Sequence, residues 1–127
     1  MRFLTIIKTS EDQEVGGPPP ALFEAMDALI AEQMAAGILL DTGGLLPSSG
    51  GVEVRVRGGE MSVVDGPFTE TREVVGGWAF TQARTKEEAV EQARRFMQIH
   101  IDHFPGWDGT CEVRQCADGP DPEGPQA

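Results

Sequence analysis

A chain of 127 residues, 39% of them apolar, is long enough for one domain around a single core. Ten basic against 21 acidic residues give a formal charge of −11, a field that repels phosphate backbones and anionic lipid and argues against nucleic-acid and membrane partners. No apolar run approaches the roughly 20 residues that cross a bilayer, and Met1–Lys8 is too short for a signal h-region and lacks a cleavage site, so the expected location is the cytoplasm.

The first element is a strand from Arg2 to Thr9, with Phe3, Thr5 and Ile7 on one face and Leu4 and Ile6 on the other. Apolar side chains on both faces suggest that both sides of its sheet are covered. After a polar stretch, Ser10 to Gly17, Pro18-Pro19-Pro20 launches a helix, with Pro20 at the first helical position. Leu22, Met26, Leu29, Ile30 and Met34 form its apolar face, Glu24, Asp27, Glu32 and Gln33 fill the polar one, and Gly37 stops it. Ile38-Leu39-Leu40 is a short extended segment, followed by a loop from Asp41 to Gly51.

Val52, Val54 and Val56 alternate with charged residues, the pattern of a half-buried strand; Gly58-Gly59 turns the chain and Glu60 to Val64 returns as a hairpin. Trp78 to Ala83 reads as a further strand. Thr85-Lys86-Glu87-Glu88 is a capping box, in which the threonine takes a free amide and Glu88 reaches back. The helix it opens should turn Ala89, Val90, Ala93, Phe96 and Met97 inward. Thr110 to Gln115 forms a last strand. Residues 1–116 are expected to be one domain and residues 117–127, rich in Asp, Gly and Pro, a disordered tail. Cys111 and Cys116 on one strand would lie about 16 Å apart, beyond disulfide reach, and without a second pair they are two ordinary thiols.

This order gives an α+β fold of the ferredoxin-like, split β-α-β type: an antiparallel sheet with two helices on one face and the other face free to dimerise. The run DGPFTETREVVGGW from Asp65 to Trp78 resembles the signature of the DGPF group within the YCII-related family. MRFLTIIKTSED, AAGILLDTGGLLPSSGGVEVRV, the Lys86-Glu87-Glu88-Ala89 helix start and FPGWDGTCEVRQ extend the resemblance over most of the chain. It implies a homodimer that closes through its sheets as a dimeric α/β barrel. It also implies, from some relatives, acid–base chemistry by a histidine and an aspartate in a cleft. The first helix, Ala21 to Gly37, holds no histidine, and Leu29 and Ile30 stand at about the positions where relatives carry Asn and Tyr.

Asp65-Gly66-Pro67-Phe68 has a sufficient local explanation as a turn, with Asp65 bonding amides, Gly66 taking positive φ, Pro67 locking its own φ and Phe68 anchoring in the core. Its functional alternative makes Asp65 a carboxylate aimed at the mouth of a cleft. Glu70, Arg72 and Glu73 either pair with one another or line a pocket where Arg72 meets a carboxylate. His100 and His103 flank Asp102 near a helix end, where a histidine suits the dipole or serves in proton transfer. GxSxG, GxGxxG and Walker patterns are missing.

The expected function is the binding of a small polar molecule near Asp65–Gly77. Asp65 and His100 are the catalytic candidates, Glu70, Arg72, Glu73 and Trp78 the ligand contacts, and no cofactor or metal is expected. The alternative is a non-catalytic dimeric module with a regulatory role beside a partner such as a sigma factor, an idea that rests on the family resemblance.

Overall fold

The computed structural model describes residues 1–11, 13, 15–68 and 73–117. Its elements are β1 (Arg2–Thr9), α1 (Pro20–Ala35), β2 (Leu39–Gly44), a 3₁₀ turn (Ser48–Gly50), β3 (Val52–Arg57), β4 (Glu60–Asp65), β5 (Val74–Gln82), α2 (Lys86–His103) and β6 (Thr110–Gln115). Four strands form an antiparallel sheet in the order β2-β5-β1-β6, while β3 and β4 make a separate two-stranded ribbon. With the ribbon set aside, the chain runs strand, helix, strand, strand, helix, strand, the ferredoxin-like arrangement.

Sequence chemistry explains the element ends. Pro20 starts α1, and two reciprocal bonds close it, Gly37 N–H to Met34 O at 3.1 Å and Ile38 N–H to Gln33 O at 2.9 Å, with Gly37 at φ 73°. Thr85 Oγ1 accepts from Glu88 N–H at 3.1 Å to start α2. The Glu88 carboxylate does not complete the expected box; Arg84 Nε takes it at 3.2 Å. Gly58 and Gly59, both at positive φ, make the β3–β4 turn.

Register decides which side chains meet the helices. Thr5 lies opposite Ala79 and Val113, and Ile7 opposite Gly77 and Cys111, so these residues share one face with Phe3 and Thr81. Leu4, Ile6, Trp78 and Phe80 take the other face. Phe3, 1% exposed, packs with Ala83, Ala89 and Val113 at the core.

Four expectations need correcting. Gln33 is buried and Met34 exposed, the reverse of their assigned faces, because positions 22, 26, 29 and 33 make the stripe that meets the sheet. On α2 the expected inward set leaves out His100, which is buried with Ala89 and Ala93, while Val90, Phe96 and Met97 are half-buried. Strand β2 runs on to Gly44, through residues expected to be loop, because β5 begins at Val74 and offers it a partner. The valines of β3 are exposed, Val54 and Val56 by 64% and 69%, because the ribbon stands apart from the main sheet. The expected tail lies mostly outside the described residues.

Candidate functional site

Helices α1 and α2 do not seal the sheet along its whole length. Gly44 and Gly77 face each other across β2 and β5, with Gly43 and Gly76 beside them, so no side chain rises there to meet the helices. A cavity of about 270 Å³ remains between the layers. Thr5 and Ile7 of β1, Ala79 and Thr81 of β5, and Cys111 of β6 border it on the sheet side. Met26, Leu29, Ile30 and Gln33 of α1 and Gln92, Ala93, Phe96 and His100 of α2 border it on the helix side.

No Asp, Glu, Lys or Arg lines the cavity among the described residues. Burial disfavours the charged form of its two titratable groups, pushing the His100 pKa below its ordinary value and the Cys111 thiol above its own. His100 Nδ1 lies 3.1 Å from Phe96 O and donates to it, which leaves Nε2 as an acceptor. The imidazole lies tilted against Phe96 and Trp107, at centroid distances of 4.9 and 4.5 Å and interplanar angles of 59° and 34°.

The hydroxyls at the lining are satisfied locally. Thr42 Oγ1 donates to Trp78 O at 2.9 Å and Thr5 Oγ1 to Ala79 O at 3.3 Å. The carboxamides are not. Gln92 Oε1 is buried without a hydrogen-bond partner, and Gln33, 8% exposed, makes no side-chain hydrogen bond among the described residues. An unpaired buried amide costs about 1–3 kcal/mol. Gln92 lines the cavity, so a turn about its broad terminal torsion would bring that oxygen to a ligand.

Of the expected site residues, His100 lines this cavity; Trp78 borders it at the β2–β5 edge, but its indole lies across Gly43 on the outer face of the sheet, away from the helices. Asp65 and Glu73 are exposed, one at the end of β4 and one before β5, and neither lines the cavity. Glu70 and Arg72 lie outside the described residues.

The turn at Asp65–Phe68 is a packed junction. Gly66 N–H donates to Gly51 O at 2.8 Å, and the Phe68 ring lies beside Gly51. Ser48, in the same loop, is held by Glu11, whose carboxylate accepts from Ser48 N–H at 2.7 Å and from Ser48 Oγ. These bonds hold the Glu11 carboxyl below its usual pKa. Two expectations fail here. The Asp65 carboxylate has no amide partner among the described residues. Gly66 does not adopt positive φ; glycine is needed because a Cβ would stand 1.8 Å from Ser48 O.

Sequence reasoning missed Gln33, Gln92 and Cys111. For Gln33 a signal existed, since it continues the 22, 26, 29 stripe at the next helical step. For the others the signal appears only once the layers are packed.

Fold and site together define a ferredoxin-like α+β domain with a neutral, mainly apolar cavity between its helices and its sheet. The chain belongs to the YCII-related domain family, whose model matches residues 1–103. No curated protein matches it significantly. No helix among the described residues is long and apolar enough to cross a membrane.

Proposed function

We propose that this YCII-related protein binds a small, uncharged, mainly apolar molecule in the cavity between its helices and sheet. The observation that carries the reading is a cavity of about 270 Å³ without a charged side chain among its described lining. For scale, a dry apolar cavity of about 150 Å³ holds benzene. An ionised ligand would lose its hydration there with no counter-charge to replace it. Gly76, Gly77 and Trp78 border the cavity, so the site sits at the C-terminal end of the Asp65–Gly77 run that carries the resemblance to the DGPF group. His100 has no carboxylate beside it among the lining residues, and binding is therefore favoured over acid–base turnover.

Thermal denaturation with a panel of neutral aromatic and alicyclic molecules tests this, because a ligand of the folded state raises the melting temperature by mass action. Cys111 lines the cavity and Cys116 does not. A bound molecule should slow labelling of Cys111 by a small thiol reagent and leave Cys116 unaffected. No shift and no protection across the panel would refute the reading.

A second reading, a homodimer closed through the sheets, is favoured by the outer sheet face. Leu4, Ile6, Trp78 and Phe80 are all partly exposed there, and Arg2 lies 5.7 Å from the Phe80 ring centroid. Sedimentation equilibrium should show a dimer that Ile6→Glu dissociates; a monomer at all concentrations counts against it.

A further inference from the structure

We infer that the ligand of this cavity carries a hydrogen-bond donor, a hydroxyl or an N–H on an otherwise apolar skeleton, and that Gln92 is the group that recognises it. The inference rests on the cavity being a binding site and adds which chemistry the site selects. The polar inventory decides it. Gln92 Oε1 is an acceptor, buried and unpaired. His100 offers a second acceptor at Nε2, because its Nδ1 proton is committed to Phe96 O. Gln33 adds a carboxamide from the facing helix.

The hydroxyl donors at the same lining are already engaged. The Thr5 and Thr42 hydroxyls point their protons at backbone carbonyls, and Cys111 contributes only a weak thiol donor. The carboxamide NH2 groups of Gln33 and Gln92 also make no hydrogen bond among the described residues, but it is Gln92 Oε1 that is fully buried in that state and carries the desolvation cost. A molecule that brings a donor removes the desolvation cost of Gln92 Oε1, whereas one of the same shape without a donor leaves that cost in place. The terminal amide torsion of glutamine is broad, so the carboxamide can turn toward a guest with little strain.

Two isomers of identical composition separate the possibilities: p-cresol, which carries a phenolic donor, and anisole, which has only an ether acceptor. Titration calorimetry of the full chain should show p-cresol binding about five- to tenfold more tightly than anisole. Gln92→Met, close in shape and without the carbonyl, should abolish that preference while keeping or raising the melting temperature, since it removes an unpaired polar atom. Gln33→Met serves as the companion variant and should reduce the preference only in part.

Equal binding of the two isomers would overturn the donor inference and leave the cavity reading standing. A p-cresol preference that survives in folded Gln92→Met would overturn the role of Gln92. If neither isomer binds and Cys111 labelling is unprotected by both, the cavity reading falls and the inference falls with it.

Discussion

The Asp65–Phe68 turn and the inter-layer cavity occupy opposite ends of a scale of packing. At the turn, three chain segments meet so closely that a single methyl on Gly66 would overlap Ser48 O, and the polar groups of Ser48 and Glu11 are paired. In the cavity, facing glycines leave space unfilled and two glutamines lack partners among the described residues. The conspicuous run of sequence is therefore a joint, and the site with unused binding capacity lies elsewhere, lined by residues that look ordinary one at a time. Close packing restricts spelling strongly. An open cavity restricts it weakly.

Adding atoms in each region gives the sharpest contrast. Gly66→Ala places a methyl against backbone that cannot move without shifting the Ser48–Gly51 turn, and should cost about 3 kcal/mol in a denaturant titration. A neutral result would mean that this joint yields freely and that the contrast is false. Ala79→Ile enlarges a residue of the cavity floor on a strand, where a β-branched side chain fits the backbone. Its stability should stay within about 1 kcal/mol of the parent, while p-cresol binding is lost. Destabilisation like that of Gly66→Ala would show that the space is not available.

The two regions should also respond to acid in different windows. Burial depresses the His100 pKa, so the unfolded chain takes up a proton first. Stability is then complete above about 6.5, the ordinary value, and falls as pH drops below it toward the folded-state pKa. Glu11 at the joint is depressed from about 4.5 by its bonds to Ser48, so its contribution is present above that pH and lost as pH falls through the lower folded value. Melting curves from pH 8 to pH 3 should show the upper slope weakened in His100→Phe and the lower slope weakened in Glu11→Gln. An unchanged upper slope in a folded His100→Phe would remove His100 from that account. The smallest effect is expected for Asp65→Asn. Exposed and without a partner among the described residues, Asp65 should change stability by no more than about 0.5 kcal/mol. A loss of 1 kcal/mol or more would restore the local hydrogen-bonding role first expected of it.

Most element boundaries were legible because they depend on neighbours in sequence: Pro20 at a helix start, Gly37 at its end, Thr85 as a cap, Gly58-Gly59 in a turn. Each acts within one turn of backbone, where local chemistry outweighs everything distant. The candidate site was legible only in part. Of the residues singled out from the sequence, His100 and Trp78 border the cavity, Trp78 with its ring on the outer face of the sheet. Gln33 was assigned to solvent because glutamine is usually exposed, and that prior outweighed its place on the buried stripe. The ribbon valines failed in the opposite sense. Alternation showed that β3 is a strand with an apolar face, but not whether any part of the chain would cover that face.

The sequence by itself determined the family, the strand and helix order and hence the ferredoxin-like sheet, since local propensity, caps and periodicity agree over most of the chain. Only the tertiary structure decided that the helices stand off from a floor of glycines, that Gln33 and Gln92 from separate helices border one space, and that Asp65 remains outside it. The reason is geometric. A cavity is made by atoms that are absent, and which absences coincide depends on the register of β2 on β5 and on the packing of two helices far apart in the chain.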